Sequence, residues 1–144
     1  MIAYSEIGPD ILAMPASEHG YKVCVGSTQT NLILFNDYSS HPRLRNDKLN
    51  SDAAGRYQVL GRYFDPYRQR LGLPDFGPES QDRIAVQMMH ECRAIDLVEK
   101  GHLADAVAAC RSRWASLPGA GYGQHENSLE KLIIVYTNSG GVVT

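Results

Sequence analysis

The chain has 144 residues, 43% of them hydrophobic and 21% charged. That length and balance suit one globular domain with its own core and exclude a low-complexity or disordered chain. A formal net charge of −2 excludes binding by bulk electrostatic attraction to nucleic acid, so recognition must come from a shaped site. No apolar run reaches membrane-spanning length and no signal peptide is visible. Cys24, Cys92 and Cys110 are widely spaced, odd in number and without CxxC spacing. Cys92 and Cys110, on apolar helix faces, read as buried free thiols, which fits a chain that folds in a reducing compartment.

In chain order, Met1 to Glu6 reads as the end of a helix that Gly8-Pro9 stops. Alternation at Tyr21, Val23 and Val25 predicts a strand, and Leu32–Phe35 a second; with the polar turn between them they make a small hairpin. Residues 36–50 form a polar loop, where Arg43, Arg45 and Lys48 are either solvated or a local anion site. Ser51–Gln58 reads as a turn of small residues running into a helix over Gly55–Leu71, with Leu60, Phe64, Tyr67 and Leu71 on one face. Asp65-Pro66 predicts a bend or a split in that helix.

Pro78 fits the first position of the next helix, whose face carries Ile84, Met88 and Cys92. A short helix follows over Ala94–Lys100, stopped by Gly101. Leu103, Val107, Cys110 and Trp114 mark another. Ser116–Gln124 is glycine-rich, and Asn127 with Glu130 predicts a capping pair for the last helix. That helix buries Leu129, Leu132, Ile133 and Tyr136 and ends at Gly140-Gly141. The sum is an α+β chain, mainly helical, with one small hairpin region near the N-terminus.

Glu6 is the first candidate for chemistry. A carboxyl at a helix C-terminus among apolar neighbours is disfavoured as an anion, which suits a general acid; a solvated surface glutamate is the commoner alternative. For a second carboxylate, nothing in the spacing separates Asp10, Glu18 and Asp37. Tyr57 and Gln58 offer an aromatic face and an amide, or else a core ring and a solvated side chain. The loop Pro118–Gln124 follows a helix and has no lysine after it, so it reads as a close-approach wall or a plain connection rather than a phosphate cradle. The histidines His19, His41, His90, His102 and His125 show no HxxxH pair, and no GxSxG elbow is present, so no metal ligand and no cofactor is assigned.

Several blocks together resemble the bacteriophage lambda lysozyme family. They are Tyr4-Ser5-Glu6, His19-Gly20-Tyr21, Asp37-Tyr38-Ser39, His41-Pro42-Arg43, Ala54-Gly55-Arg56-Tyr57-Gln58, Ser80-Gln81-Asp82 and the long block Trp114–Gln124, in order over nearly the whole chain. The resemblance implies a lysozyme-like fold with a substrate cleft, one catalytic domain over residues 1–144, in a phage or prophage endolysin of the lytic transglycosylase type. It implies Glu6 as the acid, and Ser51, Tyr57, Gln58, Tyr122 and Gln124 as substrate-binding residues. The implied partner is the peptidoglycan glycan strand, with no nucleic acid, no stable membrane insertion and a monomeric state. A separate holin would release the protein from the host cytoplasm to periplasmic peptidoglycan.

Three departures accompany the match: only four residues precede Ser5, Ile7 stands where a small residue is expected, and the Tyr21–Asp37 hairpin is longer than usual. A water-using lysozyme with a second carboxylate is one alternative. A non-catalytic glycan-binding module, if the short N-terminus disables Glu6, is another.

Overall fold

The computed structural model describes residues 1–144 as two compact units, one of residues 7–84 and one that joins residues 1–6 to 85–144. Helices α1 (Ile2–Ile7), α2 (Pro9–Leu12), α3 (Gly61–Leu71), α4 (Pro78–Glu91), α5 (Ile95–Glu99), α6 (Leu103–Cys110) and α7 (Leu129–Asn138) account for most regular structure, and a 3₁₀ turn lies at Pro15–Ser17. No helix is long and apolar enough to cross a membrane.

In the unit of residues 7–84, β-structure is reduced to single antiparallel bridges. Val23 pairs with Leu34, Cys24 with Ala54, and Ala54 with Val59. The predicted hairpin is therefore present as a pairing but not as two strands. Its bonds are Cys24 N–H to the Ile33 carbonyl (2.8 Å) and Phe35 N–H to the Lys22 carbonyl (3.1 Å). Polar residues on either side give the segments no longer alternation to extend the ladder. A second pairing was not foreseen: Ala54 and Val59 exchange both backbone bonds, at 3.0 and 2.9 Å. This closes residues 55–58 into a tight loop, so the helix begins at Gly61 rather than Gly55.

Helix α3 runs unbroken over Pro66, so of the predicted bend or split the split does not occur. Proline removes the one bond its N–H would make to Arg62, and both residues lie on the exposed face while Phe64 and Tyr67 are buried. Gly72 ends the helix in the left-handed conformation (φ 62°), with Leu73 N–H bonded to the Arg68 carbonyl. Asp75 accepts from Gly77 N–H (2.8 Å) and the Ser80 hydroxyl (2.9 Å), and so orders the start of α4. Buried Phe64 and Phe76 meet edge to face (centroids 5.1 Å), with His41 against Phe76 at 4.8 Å. The His41 ring bonds the Val59 carbonyl at 2.8 Å and accepts from Arg43 N–H at 3.1 Å. Arg43 pairs with Asp65 and Arg45 with Asp47, so two cations of the predicted basic patch are neutralised locally.

In the unit of residues 1–6 and 85–144, Ala3, Met88, Leu103, Val107, Trp114, Leu117 and Leu132 are buried. Gly101 carries φ 77° after α5, as the predicted stop requires. Helix α6 ends at Cys110, and Trp114 lies beyond it in a turn, its N–H bonded to the Cys110 carbonyl. Cys24 and Cys110 are buried and Cys92 half-buried, all as free thiols. The N-cap of α7 is Ser128, whose hydroxyl accepts from Lys131 N–H. The predicted cap, Asn127, is buried and points elsewhere.

Candidate active site

Glu6 lies in the last turn of α1 and is half-buried. Its Oε1 accepts a hydrogen bond from the Ser116 hydroxyl at 2.5 Å. Burial pushes its pKa above the ordinary carboxylate value, and hydrogen bonds from the side chain and backbone of Ser116 work in the opposite direction. The carboxyl is thus inclined to hold a proton, with the hydroxyl and the backbone of Ser116 both directed at it.

Behind that pair stand Ser5 and Asn127. The Ser5 and Ser116 hydroxyl oxygens are 2.8 Å apart. The Asn127 amide nitrogen donates to the Ser5 hydroxyl (3.1 Å) and to the Ser5 carbonyl (3.3 Å). That carbonyl belongs to the last turn of α1, where no helical partner remains for it. Asn127 N–H also donates to the Ser116 carbonyl (2.9 Å), closing the base of the glycine-rich loop. Glu126 holds the tip, where its carboxylate accepts from Gly119 N–H and Gly121 N–H, both at 2.8 Å. Those two bonds pull the Glu126 pKa down. In the same loop Tyr122 is exposed, its hydroxyl donating to the Ser112 carbonyl (3.2 Å), and Gln124 is exposed.

In the other unit, the loop of residues 55–58 is built around buried Gln81. Its amide nitrogen donates to the carbonyls of Tyr21 (3.0 Å) and Phe76 (2.8 Å), and its Oε1 accepts from Arg56 N–H (2.8 Å). Gly55 has φ 80°, and a Cβ there would overlap the Gln81 carboxamide. The glycine is therefore demanded by both conformation and space. Gln58 takes φ 50°, and its amide nitrogen donates to the carbonyls of Gly55 (2.9 Å) and Val23 (3.1 Å). The hydroxyls of Tyr57 (2.7 Å) and Tyr21 (2.9 Å) both donate to Asp82, and burial pushes both phenol pKa values up. Arg56 lies over the Tyr21 ring. Ser51 lies upstream, its backbone bridged to Asn46 and its hydroxyl accepting from Ala53 N–H.

Of the candidate second carboxylates, Glu18 is paired with Lys22 and accepts from the Tyr38 hydroxyl, and Asp37 accepts from Ser39. These bonds lower the pKa of both. Asp10 is exposed. No three His, Cys, Asp or Glu side chains converge as metal ligands.

The structure therefore joins Glu6 to the Trp114–Gln124 block through Ser116, and places Tyr57 and Gln58 in one loop. Sequence reasoning assigned no role to Ser5, Ser116, Gln81, Asp82 or Glu126, and read Asn127 only as a helix cap. Ser5, Ser116, Gln81 and Asp82 lie inside blocks that carry the family resemblance, which was the available signal. Asn127 and Glu126 sit outside them.

The family model for endolysins matches residues 1–143. The endolysin of Escherichia phage lambda is 46% identical over 146 residues, covering 99% of this chain and 89% of the relative. That of Escherichia phage P2 is 46% identical over 133 residues, covering 85% and 79%. Among solved structures, bacteriophage lambda lysozyme complexed with a chitohexasaccharide superposes with a TM-score of 0.88 at 45% identity, covering 99% of this chain and 91% of that one. A second structure of lysozyme from bacteriophage lambda gives 0.84 at 44% identity, with the same coverage. With its lysozyme-like α+β fold, the chain belongs to the endolysin family.

Proposed function

We propose that the chain is a phage or prophage endolysin that cleaves the β-1,4 bond between N-acetylmuramic acid and N-acetylglucosamine as a lytic transglycosylase. The observation that carries this reading is Glu6: a half-buried carboxyl whose pKa is raised by burial and whose Oε1 is held by Ser116. A protonated Glu6 donates to the glycosidic oxygen as the bond breaks. The oxocarbenium-like centre is stabilised by the substrate N-acetyl group. The ionised Glu6 then takes the proton of the muramic acid C6 hydroxyl, whose oxygen closes on C1 and leaves a 1,6-anhydro end. One carboxyl acts in turn as acid and base, so no nucleophilic carboxylate is required.

In this reading residues 1–144 serve as a single catalytic domain. Ser51, Tyr57, Gln58, Tyr122 and Gln124 contact the glycan, as the family resemblance suggests. The endolysins of phages lambda and P2 and the chitohexasaccharide-bound lysozyme support a glycan strand as substrate. Synthesis in the host cytoplasm, release by a holin and a monomeric state complete the proposal.

Mass spectrometry of digested peptidoglycan tests it. Anhydro ends, one water lighter than reducing ends, are expected, and Glu6→Gln should lower wall lysis by about 10²–10⁴-fold. Reducing ends alone would mean a hydrolase. Wall binding with no lysis by either protein would mean a glycan-binding module.

A further inference from the structure

Asn127, Ser5, Ser116 and Glu6 form an unbroken hydrogen-bonded line, with contacts of 3.1, 2.8 and 2.5 Å. The direction of each bond follows from what each group can do. The Ser5 carbonyl can only accept, so it fixes the nitrogen end of the Asn127 amide toward Ser5. The Ser5 hydroxyl then receives a hydrogen from Asn127 and passes its own onward. The Ser116 carbonyl already accepts from Asn127 N–H, and the closer recipient is the Ser116 hydroxyl, at 2.8 Å against 3.2 Å. Ser116, having accepted, has its single hydrogen left for Glu6 Oε1.

We propose that this line is one-way: Asn127 and Ser5 are positioning residues that hold the Ser116 hydroxyl as a permanent donor to Glu6 Oε1, so that the acidic proton resides on Oε2. The role rests on the reading of Glu6 as the general acid. Neighbouring ionisable groups have other partners. Tyr4 of α1 lies under the Lys131 ammonium of α7 (5.4 Å), and Glu126 is bound to the loop N–H groups. Burial favours the protonated carboxyl and the line favours the ionised one, so the two together keep Glu6 able to give a proton and then take one back.

The test is a carbon-13 titration of the glutamate side chains in the full chain, with Glu6 assigned by its loss in Glu6→Gln. Ser116→Ala, Ser5→Ala and Asn127→Ala are each expected to raise the Glu6 pKa, Ser116→Ala the most. The alkaline limb of wall lysis should move to higher pH in the same order. An unchanged Glu6 titration in Ser5→Ala or Asn127→Ala overturns the proposal, because Ser116 would then act alone. Ser5→Ala removes the middle link and leaves the Asn127 side chain in place, which gives an independent reading should Asn127→Ala fail to fold. The titration needs no substrate, so it is separable from the function itself. Undiminished lysis by Glu6→Gln would refute the acid role while leaving the line measurable.

Discussion

Substituting Gly55 by alanine puts the loop of residues 55–58 under two separable strains. The residue sits at φ 80°, where an L side chain costs about 1–2 kcal/mol. The new Cβ would also lie 2.7 Å from Gln81 Cδ and overlap its Oε1. Gln81 is fully buried and makes three bonds to backbone groups of Arg56, Tyr21 and Phe76. Displacing it weakens all three, at about 0.5–1.5 kcal/mol each. The sum is roughly 3–6 kcal/mol, a large share of the about 5–15 kcal/mol that holds a domain folded.

Gly72→Ala is the control. Its φ of 62° carries the conformational cost, but nothing lies within 4 Å of the added Cβ, so a loss of about 1–2 kcal/mol is expected. Urea unfolding of the two variants measures the difference. At a slope of about 2 kcal/mol per molar, the Gly55→Ala midpoint should fall by roughly 1.5–3 M and that of Gly72→Ala by under about 1 M. Equal shifts would refute the reasoning, because the Gln81 overlap would then contribute nothing.

Two further outcomes follow, one from the burial of His41 and one from the hydrogen bonds of Glu126. His41 is held neutral, with burial as the main cause of a pKa below its ordinary value of 6.5; a group depressed on folding contributes stability above the unfolded pKa and loses it as pH falls through the folded one. The thermal midpoint should therefore drop on acidification below about pH 6.5, and a His41 ring that titrates by NMR at or above the ordinary value would contradict this. Glu126→Gln leaves one acceptor oxygen where the carboxylate offers two, so the Gly119 and Gly121 amides should exchange hydrogen faster while global stability is unchanged; unaltered exchange at both glycines would show that the carboxylate does not hold the loop.

Much of the fold was legible because its signals are local. Pro78 at the start of α4 and Gly101 after α5 act through their own backbone conformations, so their sequence context is enough. The pairing of Val23 with Leu34 was readable from alternation on both sides of a polar turn. The start of α3 was misplaced because Leu60 keeps the helical spacing with Phe64 and Tyr67. What stops the helix from extending back is the exchange of bonds between Ala54 and Val59 across the 55–58 loop and the support of Gln81, distant in sequence, behind Gly55. No helical periodicity carries that information.

The site divides the same way. Glu6 could be singled out by its place at a helix end and by the family resemblance. Its setting could not, since Ser116 and Asn127 lie more than a hundred positions away in the chain. Asn127 was misread for a definite reason. Asparagine three residues before a glutamate fits a helix cap, and Ser128 next to it fits as well. The burial of Asn127 against α1 decides between them, and burial is a property of the folded chain.

The double fastening of the glycine-rich loop has a consequence for how this region can change. Asn127 closes the base at Ser116, and the adjacent Glu126 grips Gly119 and Gly121. An insertion or deletion between Ser116 and Glu126 would throw both registers out at once, whereas the exposed side chains of Gln124 and His125 can be exchanged without touching either. The loop is rigid in length and permissive in identity at those two positions. Its chemical surface can therefore be altered there while its contour is kept, which makes it a frame on which wall preference could be varied by point substitution while the support of Glu6 stays intact.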